Sequence, residues 1–180
     1  TSNLSLAARV ISEGFLPARS ALLQGPREPV SGPVAPHRIR GMLLGVAIGD
    51  ALGNTSEDLP ALERNARHGE IRDYLPNSRS AGRRVGLPSD DSQLALWTLE
   101  SLLERGGLDP DDLSARFAAR EIFGLGKSMQ QFLRNREQGA ASWYHYGAES
   151  AGNGALMRIA PLALLHPQGL EVVPRLRAQA

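Results

Sequence analysis

The sequence predicts an all-α domain, and three observations carry that prediction. Apolar residues recur at helical spacing in several separate stretches, most strongly at Leu94, Trp97, Leu99, Leu102 and Leu103. Those stretches are punctuated by helix signals, with Asp109-Pro110 at one start and Gly106-Gly107 at one end. No alternating strand pattern of useful length and no internal repeat compete with them. A chain of 180 residues that is 42% hydrophobic has enough apolar side chains to build one domain with a real core.

The elements follow in order. Leu4 to Leu16 predicts a short helix. Pro17, Pro26, Pro29, Pro33 and Pro36, mixed with Gly, Ser and Ala, read as an arm or linker. Glu13 and Glu28 argue against a transit peptide there. The expected organisation is therefore an arm over 1–36 and a globular part over 37–180. From His37, a helix places Ile39, Met42, Leu43, Val46 and Ala47 on one face. Gly41, Gly45 and Gly49 interrupt it at a cost on the order of 1 kcal/mol each relative to alanine. Close packing against another helix, or room for a ligand, would offset that cost.

Gly53 to Pro88 is polar and punctuated, a long loop with one short helix near Ala61 to His68. Ser89 or Asp90 opens the strong helix that Gly106-Gly107 ends. Asp109 is placed as N-cap, and Pro110 as first residue, of a helix carrying Leu113, Phe117 and Ile122. A helix over Lys127 to Glu137 precedes an aromatic loop, Trp143-Tyr144-His145-Tyr146. Gly152 to Gly154 turns into a helix from Ala155 to Leu165, which Pro167 stops; a last helix begins near Leu170.

Totals narrow the function classes. A net charge of +1, with no basic run, disfavours nucleic acid as a partner. Lys127 is the sole lysine, which reads as a compositional bias of the source genome. The absence of cysteine removes disulfides, thiol catalysis and thiolate metal sites. No apolar run suffices for a bilayer, so no membrane partner and a cytoplasmic location are expected. The start Thr1-Ser2-Asn3 lacks an initiator Met and any signal pattern, and the chain is expected to be part of something longer.

Three short elements carry chemistry. Ser89-Asp90-Asp91-Ser92 opens an apolar helix, where the dipole favours adjacent carboxylates. Its oxygen donors suit a hard cation such as Mg²⁺ or Mn²⁺. Read alone, the tetrapeptide is more simply an ordinary N-cap with an acidic first turn, since caps of this composition are common. Asp50 ends the glycine-rich helix, where the dipole disfavours a carboxylate, so it needs a cation, a backbone cap or water. Otherwise it is a solvated residue at a frayed end. Ser150-Ala151-Gly152-Asn153-Gly154-Ala155-Leu156-Met157-Arg158, followed by Pro161, exposes backbone N–H groups in a manner suited to phosphate. The plain alternative is a glycine turn into a core helix.

Together, and in this order, the three elements resemble the ADP-ribosylglycohydrolases, over His37 to roughly Pro167. The resemblance rests on Gly49-Asp50-Ala51-Leu52-Gly53, on Ser89-Asp90-Asp91-Ser92 where the family has Thr-Asp-Asp-Thr, and on the Gly152-Asn153-Gly154-Ala155-Leu156-Met157-Arg158 element. It implies an all-α orthogonal bundle, incomplete at its C-terminal end, with two Mg²⁺ or Mn²⁺ ions in the full-length parent. It implies Ser89, Asp90 and Asp91 as metal ligands, and Asp50, Ser150, Gly152, Asn153 and Gly154 as substrate-binding residues. Glu57 and Asp91 are the implied candidates for proton transfer. Ala151 stands where some members place an adenine-stacking aromatic, so Tyr144 or Tyr146 is a candidate substitute.

The implied reaction is metal-dependent hydrolysis of the bond joining ADP-ribose to a protein side chain or small acceptor, through an oxocarbenium-like transition state. The implied partner is an ADP-ribosylated protein or an ADP-ribose-containing small molecule. The family's late Asp-x-Asp-Thr element has no counterpart after Pro167, where Glu171 is the last acidic residue. The 180-residue chain alone is therefore expected to bind metal weakly, to be inactive and to aggregate through uncovered apolar faces. A non-catalytic ADP-ribose-binding or structural relative is the alternative. A Mg²⁺-dependent phosphohydrolase built on Asp90-Asp91 leaves the glycine element unexplained.

Overall fold

The computed structural model describes residues 3–14 and 35–165. Helices dominate: α1 (Asn3–Ser12), α2 (Pro36–Gly53), α3 (Ala61–His68), α4 (Asp90–Arg105), α5 (Pro110–Ala119), α6 (Lys127–Glu137) and α7 (Leu162–Leu165). The all-α expectation holds. One small addition is a hairpin of two-residue strands, β1 (Pro76–Asn77) and β2 (Arg83–Arg84), paired antiparallel with Pro76 opposite Arg84. Such a hairpin is too short to leave an alternating pattern in the sequence. Most of the arm expected over Pro17 to Pro36, the Pro167 stop and the helix near Leu170 lie outside the described residues.

Local chemistry explains the helix ends. Asp109 accepts from the N–H groups of Asp111 and Asp112 at 3.1 and 3.0 Å, and Pro110 fills the first helical position of α5. Gly106, at φ +68°, ends α4 in the left-handed region. Gly14, at φ +81°, follows α1, so that helix is shorter than the expected span to Leu16.

The core forms around α4. Leu94, Phe117 and Met129 are buried together, with Trp97, Leu113, Ile122, Phe132 and Met157 packed around them. An ionic network joins α4 to α5. Arg116 bonds the Asp112 carboxylate at 2.5 Å and also pairs with Glu104; Arg105 reaches Asp112 at 2.6 Å, and Arg120 reaches Glu100 at 2.6 Å. The Arg116 hydrogen bond leads the causes that hold the Asp112 carboxyl far below the usual carboxylate range.

Two expectations need correction. Of the two uses expected of the α2 glycines, close packing has no partner among the described residues, where a Cβ at Gly41, Gly45, Gly49 or Gly53 meets nothing within 4 Å. Only Ala51 of α2 is buried, and Leu44 and Ile48 are exposed, as are Leu96 and Leu103 on α4. The helix expected from Ala155 to Leu165 is also absent over most of its span. One turn closes, with the Leu156 and Met157 N–H groups donating to the Asn153 carbonyl at 2.7 and 3.1 Å, and regular helix appears only at α7. Pro161 explains the break, because it has no N–H to donate and disfavours helical geometry in the residue before it.

Three stability outcomes follow. Leu94→Ala loses about 2–5 kcal/mol in urea unfolding, because it empties a fully buried site. Gly45→Ala gains roughly 0.4–1 kcal/mol in the same assay, since the new methyl meets open space in a helical backbone. Asp112→Asn flattens the acid limb of the stability curve. A depressed carboxyl pKa stabilises the fold above the unfolded-state value near 3.9, and that stabilisation is lost as pH falls toward the folded-state value. Thermal melts from pH 6 down to pH 2 measure the difference.

Candidate active site

Asp50 and the N-terminus of α4 build the centre of the site. Ser89 is the N-cap residue of α4, but its own side chain caps nothing. Asp50, at the end of α2, supplies that function from a distance. Its Oδ2 accepts from the Ser89 and Ser92 N–H groups at 2.7 and 3.1 Å, and from the Ser92 hydroxyl at 2.7 Å. Its Oδ1 accepts from the Ser89 hydroxyl at 2.6 Å and from the Asn54 amide at 3.1 Å. Burial pushes the Asp50 carboxyl up, but these donors outweigh it and hold the group below its ordinary value. The carboxylate that the helix dipole of α2 disfavours is thus held by the helix dipole of α4.

This anchor leaves Asp90 and Asp91 in the first turn of α4. Burial, then the charge of Asp50 and of Asp90, raises the Asp91 carboxyl. Asp90 is raised too, by burial first, with Asp50 adding to it and the Gly126 backbone N–H working against it. Glu57 follows the end of α2. Burial, then Asp58, Asp90, Asp91 and Asp50, pushes its carboxyl up. Asp50, Glu57 and Asp91 line one cleft of about 460 Å³, together with Gly49, Gly53 and Arg64. Gly49 and Gly53 therefore leave room along this cleft rather than for a packed helix.

Two further residues shape the acid cluster in ways the sequence did not show. Gly124, at φ +77°, passes so close that a Cβ would come within 3.2 Å of Asp90 Oδ1, Ser89 Cβ and Arg79 Nη2. Ser92 was legible only as part of the acidic tetrapeptide; its partner, Asp50, is 42 residues away.

The glycine element lines a second cavity of about 230 Å³, with Ser150, Gly152 and Gly154 on one side and Ser128, Phe132 and Met157 on another. Asn153 is exposed and closes the turn through its carbonyl. Ser150 Oγ accepts from the Ser128 hydroxyl at 2.7 Å and from the Gly152 N–H at 3.1 Å. The two cavities share no lining residue. The start of α6 touches Asp90 through Gly126 and Ser150 through Ser128. The glycine element does not start a long helix, so its phosphate-binding geometry would be that of a single turn.

Tyr144 and Tyr146 are held by contacts of their own. Tyr146 packs edge-on against Phe132 at 5.5 Å, and Tyr144 packs against Trp143 at 5.1 Å and reaches Glu13 through its hydroxyl at 3.3 Å. No helix among the described residues is long and apolar enough to cross a membrane.

Removing the Asp50 carboxylate tests its anchoring role. Asp50→Ala costs about 0.5–2 kcal/mol in urea unfolding, the range for a lost N-cap. Asp50→Asn, which keeps one acceptor oxygen, costs less. Equal stability of Asp50→Ala and the parent chain would show that α4 needs no such cap.

Comparison with known proteins agrees with this geometry. The family model described as ADP-ribosylglycohydrolase matches residues 33–180. The ADP-ribosyl-(dinitrogen reductase) glycohydrolase of Rhodospirillum rubrum is 32% identical over 158 residues, covering 84% of this chain and 52% of the relative. The ADP-ribosylarginine hydrolase Tri1 of Serratia proteamaculans is 30% identical over 145 residues, covering 74% and 38%. The ADP-ribosylhydrolase ARH3 of Xenopus tropicalis is 28% identical over 155 residues, covering 76% and 41%. The chain spans about half the length of these relatives, or somewhat less. A match over most of the chain, joined to an acid cluster and a glycine turn built from the elements that suggested it, establishes that this chain belongs to the ADP-ribosylglycohydrolase family.

Proposed function

We propose that the protein hydrolyses the glycosidic bond joining ADP-ribose to an acceptor, either a protein side chain or a small molecule, with the aid of a divalent cation. The observation that carries this is the acid cluster beside the 460 Å³ cleft. Asp50, Glu57, Asp90 and Asp91 raise one another's pKa values or draw on shared donors, and no lysine or arginine forms an ion pair with them among the described residues. Arg64 lines the same cleft and Arg79 approaches Asp90 across Gly124, but neither pairs with a carboxylate of the cluster, and carboxylates crowded in this way favour either protonation or a cation. The names of the relatives supply the substrate class: ADP-ribosylated dinitrogen reductase for one and ADP-ribosylarginine for another.

The donor chemistry fits a hard cation, because every candidate ligand is oxygen. The donor number fits only in part. No group of three acidic or histidine side chains among the described residues has metal-holding geometry. Ser89, Asp90 and Asp91 would hold Mg²⁺ or Mn²⁺, up to two ions in the full-length protein, and such a cation supplies positive charge where the substrate's oxygens gather. Glu57 and Asp91 line the same cleft and are the groups placed to exchange a proton there. In the reaction, a water oxygen bonds to the anomeric carbon, the bond to the acceptor breaks, and one proton passes from the water side to the leaving group. A carboxyl raised by burial and like charges suits that transfer near neutral pH.

The second reading, ADP-ribose binding without turnover, is favoured by the incomplete donor set in this chain. One assay separates the two. Release of ADP-ribose from an arginine-modified protein is measured for the full-length protein with Mg²⁺, with Mn²⁺ and with EDTA. Metal-dependent release is expected, and Glu57→Gln or Asp91→Asn lowers kcat by about 10²–10⁴ for whichever residue moves the proton. Tight binding of ADP-ribose with no release under any condition would leave the non-catalytic reading standing.

A further inference from the structure

A third cavity, of about 220 Å³, adjoins the acidic cleft. The two share Asn54 and Glu57, so the Glu57 carboxylate belongs to the lining of both. Asp58 lines the third cavity beside Glu57, and Ser78 and Arg79 line it from the turn between β1 and β2.

Hydrogen bonds hold the wall between cleft and cavity. Asn54 donates to Asp50 Oδ1 at 3.1 Å and to the Leu87 carbonyl at 2.7 Å, and its Oδ1 accepts from the Asn77 amide at 3.4 Å. Asn77, itself 4% exposed, accepts from the Arg79 N–H at 2.8 Å. The Asp50 junction that orders the acid cluster therefore orders this cavity as well.

Size and lining define what the cavity can hold. Pockets that enclose a drug-sized ligand run to roughly 300–1,000 Å³, so this one suits a side-chain head group rather than a nucleotide. Apart from Pro76, its lining is polar or charged, and Thr55 adds a hydroxyl that is buried without a partner. Asp58 has no hydrogen-bond or ionic partner among the described residues, and its charge adds to the crowding at Glu57. Arg79 is turned toward the acid cluster: its Nη2 and Asp90 Oδ1 both lie 3.2 Å from where a Gly124 Cβ would stand. Its charge is offset there by Asp90, and the Glu57–Asp58 side of the cavity stays negative.

We infer that this cavity receives the acceptor, that the head group it takes is a guanidinium, and that Asp58 selects for that charge. The name acceptor rests on the reading of the protein as an ADP-ribose hydrolase; the preference for a cation rests on the cavity itself. A guanidinium fits better than an ammonium, because its five donors lie in one plane and reach oxygens on separate sides. Glu57 then stands between the ADP-ribose in the acidic cleft and the acceptor in the third cavity. A guanidinium carries its charge before and after the bond breaks, so Asp58 holds ground state and transition state alike. It is a specificity residue that sets KM.

The test measures KM and kcat of the full-length protein on arginine-linked and serine-linked ADP-ribosyl peptides, for the parent, Asp58→Asn and Asp58→Glu. Methylguanidine, followed by the line width of its NMR methyl signal, probes the cavity without turnover. Asp58→Asn is expected to raise KM for the arginine-linked peptide about 3- to 5-fold with kcat kept, and to cut the preference for that peptide by the same factor. Asp58→Glu is expected to restore the preference, and high NaCl to shrink it. Methylguanidine broadening is expected in the parent and not in Asp58→Asn. A folded Asp58→Asn protein that keeps the parent's peptide preference would overturn the subsite and leave the hydrolase reading standing. Should the parent release ADP-ribose from neither peptide, the hydrolase reading falls. Asp58-dependent broadening would then keep the cation site, and broadening that ignores Asp58 would overturn both.

Discussion

The Asp50 carboxylate is the interaction on which the rest of this site depends. It ends one helix and caps another, accepting from two backbone N–H groups and two serine hydroxyls of α4 and from Asn54. A carboxylate at the C-terminal end of α2 opposes that helix's dipole, and at the N-terminal end of α4 it complements the dipole. The geometry therefore turns an unfavourable position into a junction. It also fixes where α4 begins, and hence where Asp90 and Asp91 stand. The loop from Asn54 to Pro88 can be long because its two ends are held by this junction and by the Asn54 amide on the Leu87 carbonyl at 2.7 Å.

That junction concentrates negative charge. Serine and amide donors stabilise Asp50 in its charged form; burial is what chiefly raises Asp90, Asp91 and Glu57, and the Asp50 charge adds to it. One carboxylate is thus committed to structure while its neighbours are left poised between a proton and a cation. Gly124 completes the arrangement from the opposite side. Its left-handed backbone brings the loop before α6 against Asp90, and a side chain there would crowd Asp90, Ser89 and Arg79. The loop's next residues place Gly126 beside Asp90 and Ser128 beside Ser150. The start of α6 thus touches both the acid cluster, at Asp90, and the glycine-lined cavity, at Ser150.

Much of this was legible in the sequence, for reasons that are local. Helices α3 and α6 match the spans read from periodicity and breakers, and the Asp109-Pro110 start of α5 was read from capping chemistry alone. Such signals act between residues a few positions apart, so they survive without tertiary context. The Ala155 to Leu165 helix failed on the same local level: apolar spacing favoured a helix, while Pro161 removed a donor in its middle and won. The α2 glycines were left between two uses, since spacing showed that they would be small but not what would lie beside them; Gly49 and Gly53 line the cleft.

The sequence by itself determined the helical class, the residue types of the site and, through the order of three motifs, the family. It left Asp50 with a choice between a cation, a cap and water. Tertiary structure made that choice, because a carboxylate 39 residues from Ser89 caps α4 only when the chain folds back. It also decided that Asp91 and Glu57 share a cleft, that Gly124 approaches Asp90, and that Arg158 stands on Phe117. Each of these is a contact between distant segments. Charge, burial and hydrogen bonding at such contacts depend on what surrounds a side chain, and residue type and spacing along the chain do not encode those surroundings.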